Sequence, residues 1–546
     1  MAPLNPRSDL ETHTVENQPE PRGDRDLWAD DTILRGAVAR AGGASHEKTL
    51  SAYGAQLGTD VARDRGRQAN RFFPELQTFD RGGQRIDEVT FHPAYHDLMA
   101  LGVGAGYPAI AWDGGPGGHT AHAAMVYMQS QVEPGVCCPM TMTYAAVPAL
   151  AAAPALDAEW RPRLLSRQYD PASRPAVEKT GATIGMAMTE KQGGSDLRTN
   201  TTRAEPDDGD FRLTGHKWFC SAPMSDAFLT LARTANGLTC FLVPRWTPDG
   251  ERNAIQIMRL KDKLGNRANA SSEIEYHGAW AKRVGEEGQG IKVILEMVHH
   301  TRLDTATAPA GLMRAAISEA LWWCRERTAF QKKLIDQPLM AAVLADLGLE
   351  LEGAVALCFR VARAFDESAG DESARRFARL AVALAKYAAN KACPGVVVEA
   401  MECLGGGGYV EESPMPLLFR ESPLNSIWEG SGNVICLDIL RTIARDPDTL
   451  EMARAELAAA RGLQADFDGA LDVFNERWLS LPPESEMRWF SESLATLLSA
   501  ALLLQGAASD TVAAAYCSTR LGASRGKRFG ALPAGFDPPP ILARLS

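Results

Sequence analysis

The sequence predicts an α+β fold that is mostly helical, with one block of strands between helical segments. From about Asp30 to Leu165 the chain is alanine-rich and helical in pattern, interrupted by the Gly/Pro breaks GAGYP and DGGPGGH. From Ala182 to about Gly278 the pattern changes to short strand-like runs, and from Gly290 onward helical patterning returns. Strands that follow one another without helices between them are typical of an antiparallel barrel or sandwich, not of a doubly wound sheet.

The central strands are predicted from short runs that are rich in β-branched and aromatic residues. Turn clusters such as EPDDGD, ANG and TPDG separate the runs. The runs are TIGMAM, TTRAE, FRLTGHKWF, AFLTLART, LTCFLVPR, IQIMRL and SEIEYHG.

The later helical segment contains a clear apolar stripe between Ala341 and Phe365. Its members recur three or four positions apart, as on one face of a helix. They are Leu344, Leu347, Leu351, Val355 and Cys358. Glu350 and Glu352 fall off this stripe, and helical patterning continues beyond it to Leu440 and again after Asp446.

Length and composition indicate several units of ordinary globular protein. A chain of 546 residues exceeds the size that one core usually serves. With 45% hydrophobic and 23% charged residues, the chain is neither disordered nor fibrous. We expect an N-terminal helical domain, a central β-barrel, a helical bundle and a C-terminal helical extension, at residues 1–181, 182–289, 290–445 and 446–546.

The net charge of −11 gives the chain no long-range attraction to nucleic acid or anionic lipid, so such binding needs a local basic patch. The ten cysteines form no C-x-x-C pair, and Cys137-Cys138 has no zinc-ligand spacing, so we predict no metal. The polar start of the chain and reduced thiols favour the cytoplasm. The uncharged run from Ser493 to Ser509 is better explained by a buried helix than by a membrane span.

The stretch from Met186 to Leu197, MAMTEKQGGSDL, is the first candidate for a binding site. Gly193-Gly194 permits close backbone approach, and Thr189 and Ser195 add hydroxyl groups beside free N–H groups. Such a nest suits a pyrophosphate or the edge of a flavin ring. A Gly-Gly pair between strands is more often only a turn, and this alternative stays open from the pattern alone.

Two further stretches have the same ambiguity. In GHKWFCSAP, Trp218, Phe219 and Ser221 could place an aromatic wall and a hydroxyl against a planar cofactor, or they could belong to a half-buried strand. The run Gly405–Gly408 after a helix contains more glycines than a helix C-cap needs, which indicates a backbone passing something bulky.

One carboxylate lies in an unusual setting near the end of the main helical segment. In NSIWEGSGNV, Glu429 follows the apolar pair Ile427-Trp428 and precedes Gly430-Ser431-Gly432. It could act chemically, or it could only cap a helix or pair within the bundle.

Taken together, these stretches resemble the acyl-CoA dehydrogenase superfamily of flavoproteins. The matching motifs are, in order, MTEKQGGSD, GHKWFCS, ERTAFQK, the glycine run and IWEGSGN. Within the superfamily the chain is most similar to AidB-type adaptive-response proteins. That similarity rests on THTVENQPEP, FHPAYH, CPMTMTYA, RLKDKLGNRANAS and the C-terminal extension.

The resemblance implies an acyl-CoA dehydrogenase fold with an added helical domain, non-covalent FAD and a homotetramer. Arg327 and Phe330 would reach the FAD of a neighbouring subunit. The other residues that the resemblance assigns to the flavin are Met186, Ala187, Met188, Thr189, Gly193, Gly194, Ser195, Phe219, Cys220, Ser221, Gly405, Gly406, Ile427, Trp428, Gly430, Ser431, Gly432 and Asn433.

The resemblance also implies a role for Glu429 as the base that removes the α-proton of an acyl thioester. The backbone N–H of Glu429 and a ribityl hydroxyl of the flavin would polarise the thioester carbonyl, while flavin N5 accepts the β-hydride. Ile427 and Trp428 would exclude water and raise the basicity of the carboxylate.

AidB-type proteins are associated with DNA binding and protection from alkylation damage, and with weak activity on short branched acyl-CoA. Residues 446–546 contain nine Lys/Arg and thirteen Asp/Glu, a net charge of −4, so binding of double-stranded DNA would depend on a cluster of cations. The candidates are Arg441, Arg445, Arg520, Arg525, Lys527 and Arg528. Without a helix-turn-helix or zinc-finger pattern, binding should be non-specific.

Two alternatives remain within the superfamily. The chain could be an ordinary acyl-CoA dehydrogenase of fatty-acid or branched-chain catabolism, passing electrons to an electron-transfer flavoprotein. It could also be an acyl-CoA oxidase, which has the same layout but lets oxygen reach the reduced flavin; the shorter length here makes this the weaker alternative.

Overall fold

A computed structural model describes residues 7–524 and 526–545. The N-terminal region is mainly helical, and its helices begin at recognisable caps: Asp31 accepts from the N–H of Leu34, and Thr59 from that of Ala62. The helices are α1 (Thr32–Arg40), α2 (Glu47–Leu57), α3 (Asp60–Arg71), α4 (Pro93–Ala105), α5 (Gly118–Gln129), α6 (Cys137–Leu150) and α7 (Pro154–Leu164).

A hairpin interrupts this helical region, which the helical patterning did not predict. Strands β1 (Glu75–Phe79) and β2 (Arg85–Thr90) pair antiparallel across a turn that contains Gly82 and Gly83. Both strands are short and alternate exposed and less exposed positions, so they produce only a weak strand pattern between two helices.

The central region is a β-barrel, and the predicted class of fold is confirmed. Its strands are β3 (Ile184–Ala187), β4 (Arg203–Asp207), β5 (Asp210–Ser221), β6 (Ala227–Thr234), β7 (Gly237–Pro244), β8 (Ile255–Leu260) and β9 (Ser271–Val284). The barrel closes because β9 pairs with both β7 and β5, while β4 joins β5 to β6. Two pairings differ from a purely antiparallel sheet: β3, which enters from the helical region, and β4 each run parallel to β6.

A bundle of long helices follows the barrel. It consists of α8 (Gly290–Glu326), the short hairpin β10 (Thr328–Ala329) and β11 (Lys332–Lys333), α9 (Pro338–Glu367), α10 (Glu372–Cys403), α11 (Met415–Glu421) and α12 (Gly432–Arg445). The 37 residues of α8 correspond to a length of roughly 55 Å. The predicted apolar stripe of α9 is buried in the bundle core.

Glu352 is buried in α9, although the sequence places it off the apolar stripe. The reason is an ion pair with Arg544 at the end of the chain, which compensates the buried carboxylate. Arg544 belongs to the last of the C-terminal helices, which are α13 (Asp448–Ala459), α14 (Ala465–Arg477), α15 (Met487–Leu502), α16 (Asp510–Arg520) and α17 (Pro539–Arg544).

The C-terminal extension shares one hydrophobic core with the bundle and with the N-terminal helices. This core runs from Leu27 to Leu545 without a break between the three regions. The contact is close at Gly353 of α9, where an added Cβ would lie 2.5 Å from the ring of Tyr516. The extension is therefore packed as part of the bundle.

Among the described residues, a single helical stretch, Glu484–Ala507, is long and apolar enough to cross a membrane by length and composition. Of its most apolar window, 61% is buried inside the protein, where α15 contributes Leu494, Leu497 and Leu498 to the shared core. The predicted buried helix from Ser493 onward corresponds to this element.

Candidate active site

Glu429 lies in a tight loop between a 3₁₀ turn at Leu424–Ser426 and the start of α12. Its φ is +55° and that of Gly430 is +105°, so two successive residues adopt left-handed backbone conformations. This conformation costs a non-glycine residue roughly 1 kcal/mol, and such strain persists only where the surroundings hold it. The loop therefore holds the carboxylate in a backbone conformation that glutamate would not choose alone.

The carboxyl group of Glu429 accepts a hydrogen bond from the hydroxyl of Thr301 on α8, at 2.7 Å from Oε2. Burial raises the pKa of Glu429, and the Thr301 hydrogen bond and the charges of Lys386 and Arg302 lower it only in part. A carboxylate with a raised pKa is a better base, as proton abstraction near neutral pH requires.

Charged residues from α8 and α10 support the outer side of this loop. Arg302 points Nε towards the carbonyl oxygen of Glu429 at 3.4 Å and donates from Nη1 to Asp438 at 2.6 Å. Arg379 of α10 donates two further hydrogen bonds to the carboxylate of Asp438, at 2.8 and 3.0 Å. This network links α8, α10 and α12, and it keeps the pKa of Asp438 low, at about 2, although burial alone would raise it.

The barrel forms the other wall of the site. Trp428 packs against an apolar cluster that also includes Met186 and Met188, and its indole N–H donates to Asn425 at 2.6 Å. Cys138 of α6 connects the two walls: burial raises its pKa to about 12, and the nearby carboxylate of Glu429 contributes to the shift. Glu429 thus lies close to Cys138 of α6, and its neighbour Trp428 packs against the barrel.

The glycine loop after β3 is held by a fully buried ion pair, in which Lys217 of β5 donates to Glu190 at 2.8 Å. Burial alone would raise the pKa of Glu190, but Lys217 and hydrogen bonds from Thr201 and Thr202 hold it far below its usual range. The ion pair anchors the start of the loop to the barrel.

Within the described residues, the backbone N–H groups of Gly194 and Ser195 donate to no protein acceptor. An added Cβ at Gly194 would lie 2.3 Å from the hydroxyl of Thr189, so this position requires glycine. The first N–H groups of α12, which follow Ser431, also have no side-chain cap. Free N–H donors of this kind suit the pyrophosphate and polar ring edge of a flavin dinucleotide.

Family models match three consecutive parts of the chain. Residues 17–171 match the N-terminal domain of the adaptive response protein AidB, residues 185–279 the middle domain of acyl-CoA dehydrogenase, and residues 288–444 its C-terminal domain. Over its length the chain is 45% identical to AidB of Escherichia coli (strain K12), covering 95% of this chain and 96% of that protein. The chain belongs to the AidB group of the acyl-CoA dehydrogenase family.

Solved structures agree with this assignment. The crystal structure of Caenorhabditis elegans ACDH-11 in complex with C11-CoA superposes with a TM-score of 0.84 at 28% identity, covering 94% of this chain and 93% of that one. A Bacillus anthracis acyl-CoA dehydrogenase complexed with FAD, at 14% identity and a TM-score of 0.66, shares the fold over 91% of this chain and 86% of that one. This AidB-type chain is therefore a flavin oxidoreductase, and the predicted FAD cofactor is confirmed.

Two residues predicted to line the flavin point elsewhere in this AidB-type chain. Ala187 and Cys220 are completely buried in the barrel interior, since alternate residues of a strand face opposite sides. Their neighbours Met186, Phe219 and Ser221 remain on the outer side, and Phe219 is 48% exposed. The side chains of Ala187 and Cys220 therefore face away from the cofactor side of the barrel, and their place in the flavin site stays a prediction that depends on their backbone atoms.

The two residues predicted to reach a neighbouring subunit, Arg327 and Phe330, lie at the surface at the end of α8 and in the hairpin that follows it. Phe330 occupies the turn of the β10–β11 hairpin and is 94% exposed. Arg327 stacks over the ring of Trp323, and an added Cβ on Gly407 would meet the same ring at 2.9 Å. Around Gly405 and Gly406 the space next to the backbone is open. The role of this surface in a partner's flavin site stays a prediction.

The structure divides the residues proposed for DNA contact. Arg520 at the end of α16 is buried and pairs with Asp346 at 2.5 Å and Glu350 at 3.0 Å, so the prediction that it meets phosphate is wrong. Arg525 lies outside the described residues. The remaining four side chains are exposed: Arg441, Arg445, Lys527 and Arg528.

Several residues of the site escaped the sequence reasoning. Thr301, Arg302 and Lys386 lie within helical stretches, where a single polar residue has no distinguishing spacing. The one available signal concerned Arg302 and Lys386, because a lysine or arginine within a helix that is otherwise apolar is rarely buried without a specific partner. Within the described ranges no group of three or more His, Cys, Asp or Glu side chains is arranged to hold a metal ion.

Proposed function

We propose that this protein is an FAD-dependent dehydrogenase of acyl-CoA thioesters, with weak activity on short branched acyl groups and with Glu429 as the catalytic base. The observation that carries the proposal is the setting of that carboxylate. Its strained backbone, the hydrogen bond from Thr301 and its raised pKa together hold a basic group in a fixed position beside α6 and the barrel.

In the proposed reaction Glu429 takes the α-proton of the acyl group. Thr301 holds Oε2 and so limits the rotation of the carboxylate. The backbone N–H of Glu429 donates to the thioester carbonyl and stabilises the negative charge that develops there. Trp428, packed on the apolar cluster of the barrel, keeps water from the carboxylate. When bound, FAD would supply the two-electron acceptor for the hydride that leaves the β-carbon.

An acyl-CoA substrate is supported by the relative that was crystallised with C11-CoA. The test is anaerobic mixing of the FAD-loaded protein with isovaleryl-CoA and with C11-CoA, recording the flavin absorbance. We expect bleaching that Glu429→Gln slows by ~10²–10⁴-fold, the range for loss of a general base. Glu412→Gln, the same change at an exposed glutamate, is the control and should bleach at the wild-type rate.

Bleaching that Glu429→Gln leaves unchanged would contradict the role of Glu429. The same samples distinguish the oxidase alternative: an oxidase forms stoichiometric peroxide when the reduced protein meets air. Reoxidation by an electron-transfer flavoprotein with little peroxide would support a dehydrogenase.

We also propose a second role, non-specific binding of double-stranded DNA in the response to alkylation damage. Arg441, Arg445, Lys527 and Arg528 are exposed, and none of these four forms an ion pair with another described residue. Many other surface cations are paired with neighbouring carboxylates. These four have no such partner among the described residues, and their charges are therefore available to phosphate.

Replacing all four residues by glutamine should weaken duplex binding. The plot of log K against log salt should become less steep by about 3.6, at ~0.9 per phosphate contact. The control variant neutralises four exposed cations elsewhere: Arg7, Lys48, Arg81 and Arg203. Equal salt slopes for the two variants would refute this DNA surface.

The cytoplasm as location and a homotetramer as assembly are further proposals. Exposed Phe330 and the open glycine run are the surfaces expected to be covered by another subunit. Light scattering of the FAD-loaded protein tests the tetramer, and Phe330→Asp should reduce the measured mass if this surface is the interface.

A further inference from the structure

Lys386 of α10 lies buried beneath the Glu429 loop, with 1% of its surface exposed. Its ammonium group donates to three backbone carbonyl oxygens of that loop and of the 3₁₀ turn that precedes it. The acceptors are Asn425 at 2.8 Å, Trp428 at 3.0 Å and Gly430 at 2.9 Å.

These three bonds use the complete donor capacity of a lysine, which has three N–H groups and no acceptor. Among the described residues Lys386 forms no ion pair, although a buried ammonium is usually compensated by a carboxylate. Burial lowers the pKa of Lys386 to about 7, and the carbonyl dipoles of the loop, with the charge of the nearby Glu429 carboxylate, favour its charged form. The charge is thus used to orient the peptide groups around Glu429.

The orientation of one peptide group has a direct consequence. A trans peptide is planar, and its N–H points opposite to its C=O. Because the Trp428 carbonyl points to Lys386, the N–H of Glu429 points away from α10, and in the described structure it donates to no protein group. The carbonyl of Gly430, which follows Glu429 in the chain, accepts from the same ammonium group.

We propose that Lys386 is a positioning residue that fixes the Trp428–Glu429 peptide so that the Glu429 N–H meets the thioester carbonyl of the substrate. The same three bonds hold Glu429 at its left-handed φ of +55°. The role rests on the proposed dehydrogenase function, since the N–H needs a carbonyl to receive it.

The experiment reads this hydrogen bond directly, without turnover. Isovaleryl-CoA labelled with carbon-13 at the thioester carbonyl is bound to the FAD-loaded Glu429→Gln protein, which retains the backbone N–H but lacks the base. Isotope-edited infrared spectra then report how far the carbonyl stretch falls on binding. The comparison is with Glu429→Gln combined with Lys386→Met, and with Glu429→Gln combined with Lys391→Met.

Lys391 is a matched control because it lies on the same helix and donates to the side chain of Ser426 and not to a loop carbonyl. We expect the downshift to be at least halved by Lys386→Met and unchanged by Lys391→Met, with bound FAD stoichiometric in all samples. In the protein with native Glu429, Lys386→Met should slow anaerobic flavin reduction by ~10²-fold, as for removal of one oxyanion donor.

If Lys386→Met does not fold, Lys386→Gln replaces it; its amide retains two N–H donors, so an intermediate downshift is expected. A full downshift in a folded Lys386 variant overturns the positioning role and leaves the proposed function intact. If the carbonyl stretch does not shift when substrate binds to Glu429→Gln alone, the N–H contact and the positioning role are both refuted. If the protein binds no acyl-CoA, the proposed function itself is refuted.

Discussion

The hydrogen bond from Thr301 to Glu429 determines how readily the carboxyl group loses its proton. The hydroxyl lies 2.7 Å from Oε2 and donates to the charged form. Thr301→Val has nearly the same shape and removes only this donor. Because the bond favours the carboxylate, its loss should raise the pKa of Glu429 further above its usual range.

The size of the effect follows from the type of bond. A hydrogen bond to a charged group contributes about 1.5–3 kcal/mol, and 1.36 kcal/mol corresponds to one pKa unit, so the pKa should rise by ~1–2 units. Below its pKa the carboxyl group is protonated and cannot accept the α-proton. At a fixed pH on that limb the variant should therefore reduce its flavin ~10–100-fold more slowly than the wild type.

The assay is anaerobic stopped-flow reduction of the flavin at saturating acyl-CoA across the pH range. The rising limb should move to higher pH, while the alkaline plateau is kept. Thr305→Val is the matched control, since it lies one turn further along α8 and donates to the carbonyl of Arg302. A limb that stays in place in Thr301→Val, or moves to lower pH, would refute the assignment of this limb to Glu429.

Three further predictions concern stability. Glu190→Gln leaves Lys217 buried without its partner and should lower the free energy of unfolding by ~3–5 kcal/mol, measured by urea titration. Because the Glu190 pKa is depressed in the folded state, this stabilisation is present at neutral pH and lost as pH falls below ~4.3, so the two proteins should converge in acid. Arg520→Ala should destabilise by a similar ~3–5 kcal/mol because it strands buried Asp346, with DNA affinity of the folded protein unchanged. Gly353→Leu should lower the melting temperature and expose the extension to protease; wild-type resistance would contradict the close packing described above.

Much of the fold could be predicted from local pattern. Strands β6 and β8 have the bounds of the runs AFLTLART and IQIMRL, because turn residues flank both runs. The stripe of α9 is buried as its spacing requires. In contrast, the pattern gave no indication that Glu352 and Arg520 would be buried, because their partners Arg544 and Asp346 lie 174 to 192 positions away in sequence.

The parts of the candidate site that lie in continuous sequence motifs could be predicted. The parts that come together through the packing of separate helices could not. Glu429 and the glycine loop are visible in the sequence, and strand alternation would have separated Met186 and Met188 from Ala187. Thr301 and Lys386 come close to Glu429 only through the packing of α8 and α10. Such contacts depend on tertiary structure and have no local signature.

The unbroken core that joins the C-terminal extension to the bundle bears on how this protein could be divided for study. A chain ending near Asp446 would leave buried faces of α9 and α10 in contact with water, and the isolated extension would lose the partners of Arg520 and Arg544. Neither piece retains a closed interior. Thermal denaturation should accordingly appear as a single cooperative transition spanning both regions, and nucleic-acid affinity is best measured on the intact polypeptide.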